Sequence, residues 1–79
     1  MKVTILTPVS QLFEGEAKSV KAPGIDGGLE ILDRHAPIIS ALGKGTVSIT
    51  DAKGQKHKFD IKKGFLEVIQ NEVSLLVRV

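Results

Sequence analysis

The chain has 79 residues, 42% of them hydrophobic and 25% charged, with 11 Lys or Arg against 9 Asp or Glu and no cysteine. That length admits one small domain, and a core of this size rarely supplies more than about 3–5 kcal/mol, so docking on a partner is the expected support. The lack of thiols excludes disulfides and thiolate metal sites, and a net charge of +2 is too small to call for nucleic acid as a partner.

The opening MKVTILTPVS carries one lysine and a very short apolar run, without the core or the cleavage pattern of a signal peptide. No segment approaches the roughly 20 apolar residues that a membrane span needs, so an intracellular, soluble chain with no direct span is expected. Lys2 to Thr7 reads as a strand closed by Pro8. Leu12 to Lys21 reads as a longer extended stretch with a bend expected at Gly15. Ala22 to Gly28 holds one proline and three glycines, which reads as a loop or tight turns.

Leu29–Leu32 and Ile38–Leu42 are short apolar runs, and Gly43-Lys44-Gly45 is the next break. Thr46 to Thr50 alternates, with Val47 and Ile49 on one face. Asp51-Ala52-Lys53-Gly54 then reads as a hairpin turn in which glycine supplies a positive φ. His57, Phe59 and Ile61 alternate with Lys56, Lys58, Asp60 and Lys62. Gly64 opens an extended run to Gln70, and Asn71-Glu72 turns the chain into Val73, Leu75, Val77 and Val79.

A period of two dominates, and no stretch holds a period of 3.6. About eight to ten short strands in one domain, residues 1–79, predict an all-β fold: a small two-sheet β-sandwich or flattened barrel. Two strands break the inside/outside rule. Phe65 and Ile69 are apolar in one phase while Leu66 and Val68 are apolar in the other, and Leu76 is apolar in the phase that should meet water. Such a strand either lies between two layers or offers a face to a partner.

His35, in the turn Asp33-Arg34-His35-Ala36-Pro37, is the one candidate for acid–base or metal chemistry. A metal needs several converging ligands, and His57, the other histidine, lies on a strand with no H-x-H or H-x-x-x-H spacing. No nucleophile motif such as G-x-S-x-G is present. His35 therefore reads as a loop residue that orders its turn or packs on a neighbour. No catalytic residue, metal or cofactor is expected.

Gly43-Lys44-Gly45-Thr46 lacks the first glycine of a phosphate loop and separates lysine from threonine. Lys53, Lys56, Lys58, Lys62 and Lys63 admit a barrel that binds single-stranded nucleic acid. That mode needs aromatic platforms, and the three Phe occupy core-like positions, so a lysine-protected sheet edge is the reading preferred. A lipoyl- or biotinyl-type carrier would place its lysine at a hairpin tip, as Lys53 sits. Its D-K-A or M-K-M context and its internal repeat are missing.

Several blocks taken together resemble one family. Val3 to Pro8 followed by Leu12-Phe13-Glu14-Gly15-Glu16-Ala17, then Ala22-Pro23-Gly24-Ile25-Asp26-Gly27, then His35-Ala36-Pro37-Ile38-Ile39-Ser40-Ala41-Leu42, then Gly64-Phe65-Leu66-Glu67-Val68 with Asn71 and Val73, are similar in order and spacing to the β-sandwich domain of F-type ATP synthase epsilon subunits. Leu32-Asp33-Arg34-His35 departs from the family's usual L-P-x-H, and Glu30 stands where a glycine is usual. The chain also stops where the family's C-terminal helical hairpin begins, so that hairpin's inhibition of hydrolysis and its ATP binding are not carried over.

The resemblance implies a non-catalytic subunit of the rotating central stalk, within the alpha/beta/gamma/delta/epsilon assembly at the cytoplasmic face of a bacterial inner membrane. It implies gamma-subunit contacts at Thr7, His35, Ile39 and Ser40. It also implies that a loop with Asp26, Gly27, Gly28 and Glu30 faces the ring of c subunits.

Overall fold

The computed structural model describes residues 1–79 and contains eight strands and no helix. They are β1 (Lys2–Leu6), β2 (Gln11–Gly24), β3 (Gly27–Leu32), β4 (Ile38–Leu42), β5 (Gly45–Asp51), β6 (Lys56–Ile61), β7 (Lys63–Ile69) and β8 (Glu72–Arg78). One layer runs β1-β8-β7-β4, and the other runs β3-β2-β5-β6. The 14-residue β2 belongs to both, because its first half pairs with β1 and its second half with β3 and β5. At the far end Gly24 pairs with Leu42, and Gly43 donates to the Pro23 carbonyl at 2.8 Å, which stitches the layers together there. The two-sheet sandwich expected from the period-two pattern is therefore present, flattened to 26 × 23 × 18 Å.

The core forms because each layer turns one phase of its alternation inward. Val3 and Ile5, Leu66 and Val68, and Val73, Leu75 and Val77 come from the first layer; Val20, Ile31, Val47, Ile49 and Ile61 come from the second. Every buried residue is hydrophobic, so the interior holds no polar group that would need a partner. Phe13 on β2 and Phe59 on β6 are half-buried, 6.4 Å apart edge to face, and pack against this core.

Two expectations along β2 change. The strand runs straight through Gly15, and the irregularity falls later: Ala17 pairs with Asp51 while Ser19 pairs with Thr50. Lys18 is thus the extra residue of a β-bulge, which lets Ala17, Val20 and Ala22 all point inward although their spacing is three and then two. The second change is that Ala22-Pro23-Gly24 is strand rather than loop. Gly24 pairs with Gly27, so the reversal shrinks to Ile25-Asp26 and leans on the positive φ of Gly27.

The other turns follow the chemistry of their residues. Gly54 has φ +87 in the β5–β6 hairpin, as expected. Gln70 and Asn71 are both left-handed, at φ 49 and 62, which makes the tight β7–β8 reversal. Gly64 is needed for a different reason, since a Cβ there would lie 2.5 Å from the Leu76 carbonyl oxygen on the neighbouring strand.

Candidate functional site

The outward phase of the β1-β8-β7-β4 layer is where the alternation rule fails. Ladder partners share a face, so register alone lays out its rows. Ala41, Phe65, Leu76 and Leu6 form one row across the four strands, and Ile39, Glu67, Ser74 and Thr4 form the next. Ile39, Phe65 and Leu76 remain 72%, 62% and 58% exposed. The choice left open for these strands is settled: Leu66 and Val68 face the core, while Phe65, Ile69 and Leu76 face outward with nothing over them. Phe65 is therefore not core-like, unlike Phe13 and Phe59.

At the end of this face where Thr7 lies, Pro8 and the exposed Ile25 approach Phe65 and Leu76 and enclose a groove of about 360 Å³, with Lys63 and Arg78 on its rim. Contiguous exposed apolar surface bounded by charge is the usual mark of a protein-binding face.

The four residues expected at one interface do not sit together. Ile39 projects from the middle of the face. Ser40, next to it, pairs with the buried Leu66 and so points to the inner side, half-buried. Thr7 and His35 lie at opposite ends of the strands, roughly 13 Å or more apart along the ladder. Both hold turns. The Thr7 hydroxyl accepts hydrogen bonds from the Val9 and Ser10 amides at 3.2 and 2.9 Å. The His35 amide donates to the Leu32 carbonyl, and its Nδ1 lies 2.7 Å from the Ala36 carbonyl oxygen. Asp26, Gly27, Gly28 and Glu30 are all exposed on the β2–β3 hairpin, Asp26 at its tip and Glu30 opposite Lys21.

Sequence reasoning missed the residues that actually fix the His35 turn. Arg34 is left-handed at φ 62, and its amide donates to the Asn71 Oδ1 at 2.7 Å, tying this turn to the β7–β8 reversal. The Met1 ammonium donates to Asp33 Oδ1 at 2.6 Å and to the Ala17 carbonyl at 3.2 Å. Asp33 and Asn71 had a visible signal, since both are residue types that stabilise left-handed turns, but nothing in the spacing says which strands they join. No three His, Cys, Asp or Glu side chains converge, so His35 has no companions for a metal.

His57 has a structural partner. Its Nε2 lies 2.8 Å from Asp51 Oδ2, and Asp51 Oδ1 accepts from the Lys53 and Gln55 amides at 2.9 Å each. Lys53 is at an exposed hairpin tip, as a carrier lysine would be. Lys56 and Lys58 project outward from β6 in one layer, whereas Lys63 projects outward from the other. The basic run is therefore divided between two faces, and the exposed ring of Phe65 lies away from Lys56 and Lys58.

These ion pairs give a pH dependence. The carboxyl of Asp51 is held below its ordinary range, chiefly by the hydrogen bond from His57, and that of Asp33 chiefly by the Met1 ammonium. The Met1 amine is held above its ordinary value, chiefly by Asp33 and against the effect of burial. A lowered carboxyl stabilises the fold fully above its unfolded value and loses that contribution as pH falls through its folded value. A raised amine does the reverse, losing its contribution as pH rises through the folded value. The urea midpoint should therefore be flat between about pH 5 and 8 and fall on both sides. Asp33→Asn should blunt both declines and Asp51→Asn only the acid one; an alkaline decline unchanged in Asp33→Asn would contradict this.

A β-sandwich whose outward sheet face carries exposed apolar residues rimmed by charge has the surface of a docking domain. Residues 1–79 match the family described as "ATP synthase, Delta/Epsilon chain, beta-sandwich domain", and the chain belongs to that family. It is 41% identical over 75 residues to the ATP synthase epsilon chain of Chlorobium limicola, covering 95% of this chain and 85% of that one. It is 38% identical over 84 residues to that of Salinibacter ruber, where the match takes in 96% of this chain and only 56% of the longer relative.

Among solved structures the fold recurs with TM-score 0.88 in the mitochondrial ATP synthase of Euglena gracilis, in an OSCP/F1/c-ring assembly, at 18% identity over 95% of this chain and 48% of that one. It recurs with TM-score 0.82 in the central stalk/c-ring of the Tetrahymena thermophila mitochondrial enzyme, at 22% identity over 100% of this chain and 63% of the other.

Proposed function

We propose that this chain is a rotor subunit of an F-type ATP synthase, a domain of the central stalk that packs on the gamma subunit and rests on the ring of c subunits, so that ring rotation is passed to the catalytic head. One observation carries the reading: a member of the epsilon family exposes Ile39, Phe65 and Leu76 on one sheet face, as a domain held between larger partners should. The subunit is non-catalytic and takes no cofactor. It sits with its complex at the cytoplasmic face of a bacterial inner membrane and functions as one domain over residues 1–79.

In this reading gamma covers the apolar face. Ile39 contacts it through its side chain, Ser40 lies on the same strand, and Thr7 and His35 hold the turns that bound the covered area at either end. The hairpin with Asp26, Gly27, Gly28 and Glu30 faces the ring. Coupling depends on rigidity. β2 runs through both layers, so a load on the β2–β3 hairpin reaches β1, and through β1 its parallel partner β8, without passing a loop.

The test is affinity capture with this chain as bait from detergent-solubilised membranes of its source. Recovery of gamma with the catalytic alpha and beta subunits supports the stalk reading, and their absence overturns it. His35→Ala should weaken that recovery while the isolated domain stays folded, and simple unfolding of the variant would remove His35 from the interface.

A further inference from the structure

The exposed sheet face is polar along its length as well as apolar at its centre. Going along the strands, the first row holds Lys63 directly opposite Arg78. The second holds Ala41, Phe65, Leu76 and Leu6, the third Ile39 beside Glu67, and the fourth Ile69, Glu72 and Lys2. The Lys2 ammonium is already 3.6 Å from Glu14 on β2, so Glu67 and Glu72 remain the unpaired charges of that end. Lys63 and Arg78 are like charges on directly opposite ladder residues, an arrangement that costs stability in the free domain. None of Lys63, Arg78, Glu67 and Glu72 belongs to any of the four ion pairs of the chain. The groove of about 360 Å³ opens at the cationic end, where Lys63 and Arg78 rim the apolar floor made by Phe65 and Leu76.

The dimensions select the occupant. Rows on one face of a strand are about 6.6 Å apart, and four strands span roughly 14 Å from first to last. An α-helix is roughly 10–12 Å across and advances about 6 Å in four residues, so one helix laid along the strands covers the face and keeps step with its rows. We propose that the face seats a single helix of the gamma subunit in one direction only. Its carboxylates at position i meet Lys63 and Arg78, its large apolar residues near i+4 fill the groove over Phe65 and Leu76, and its basic residues near i+8 to i+12 meet Glu67 and Glu72. The inference rests on the stalk reading and adds the chemistry and the polarity of the partner element.

Charge reversal at each end separates this seat from general electrostatic attraction. Lys63→Glu with Arg78→Glu and, separately, Glu67→Lys with Glu72→Lys would be titrated against a purified complex of alpha, beta and gamma subunits. Because the seat is dipolar, both double variants should bind on the order of tenfold more weakly at low ionic strength and approach the native chain as salt is raised. A partner that merely carried net charge would be bound more weakly by one variant and more tightly by the other.

Opposite signs, or no change in either variant, would overturn the seat and leave the stalk reading standing. Failure of the native chain to bind the complex would overturn both. Lys56→Glu with Lys58→Glu, on the other layer, should leave affinity unchanged. If a reversal lowers the melting temperature, the neutral pairs Lys63→Gln with Arg78→Gln and Glu67→Gln with Glu72→Gln carry the same comparison.

Discussion

Replacing Leu66 by alanine is expected to leave the isolated domain largely unfolded at room temperature. Leu66 is fully buried in the middle of β7, paired with Ser40 on one side and Leu75 on the other, and its side chain reaches across to the second layer. Truncating a buried leucine costs roughly 2–5 kcal/mol, part transfer and part cavity. A single core of this size supplies about 3–5 kcal/mol in total, so the loss and the reserve are of the same order. Ile69→Ala, three residues on and half exposed on the outer face, should cost well under half as much. Urea titrations of the two variants make the comparison, and equal losses would contradict the assignment of inner and outer phases. A partner that binds only the folded form adds about 4 kcal/mol at a thousand times its dissociation constant, so the Leu66 variant should recover its fold in the assembly.

The largest effect on assembly is expected at Phe65. Phe65→Ser removes the ring from the centre of the apolar row and touches nothing in the core, since the side chain is 62% exposed. Aromatic anchors at the centre of an interface cost about 2–4 kcal/mol when truncated, which corresponds to an affinity for the gamma-containing complex roughly 30- to 1,000-fold weaker. The variant's own melting temperature should hardly move. Calorimetric titration measures the first quantity and a thermal scan the second. A variant that binds normally would show that gamma approaches some other face, while one that unfolds would show that Phe65 packs inward.

Much of the architecture is legible in the residues because so little competes with the period-two signal. Val47 and Ile49, or Val73, Leu75 and Val77, can face a core only as strands. Leu76 is legible in the sequence as an apolar residue in the outward phase, but Phe65 and Ile69 are not, because Leu66 and Val68 make the other phase of their strand equally apolar. What sequence could not show was anything set by an offset of one residue or by contact between distant segments. The bulge at Lys18 inverts the parity of the rest of β2, and Lys18 itself is an ordinary surface residue. Pro23 reads as a strand breaker, yet its carbonyl accepts from Gly43 while its missing amide is not required. The distance between Thr7 and His35 and the union of Asp33 and Asn71 at one turn follow from the register of β1, β8 and β7, which no local pattern encodes.

The parallel pairing of β1 with β8 has a consequence for synthesis on the ribosome. Lys2 to Leu6 line up with Glu72 to Leu76, so the second edge of the first strand finds its partner only when the last strand has emerged. At about 5–20 residues per second, the nascent chain spends roughly 4–14 seconds with that edge unpaired, although β2 can satisfy the other edge early. Val3 and Ile5 are exposed to neighbouring nascent chains throughout that interval, in the short apolar edge that favours strand-to-strand association. Slow elongation through the second half of the message would lengthen this exposure, and a chaperone that holds Lys2–Leu6 would shorten it.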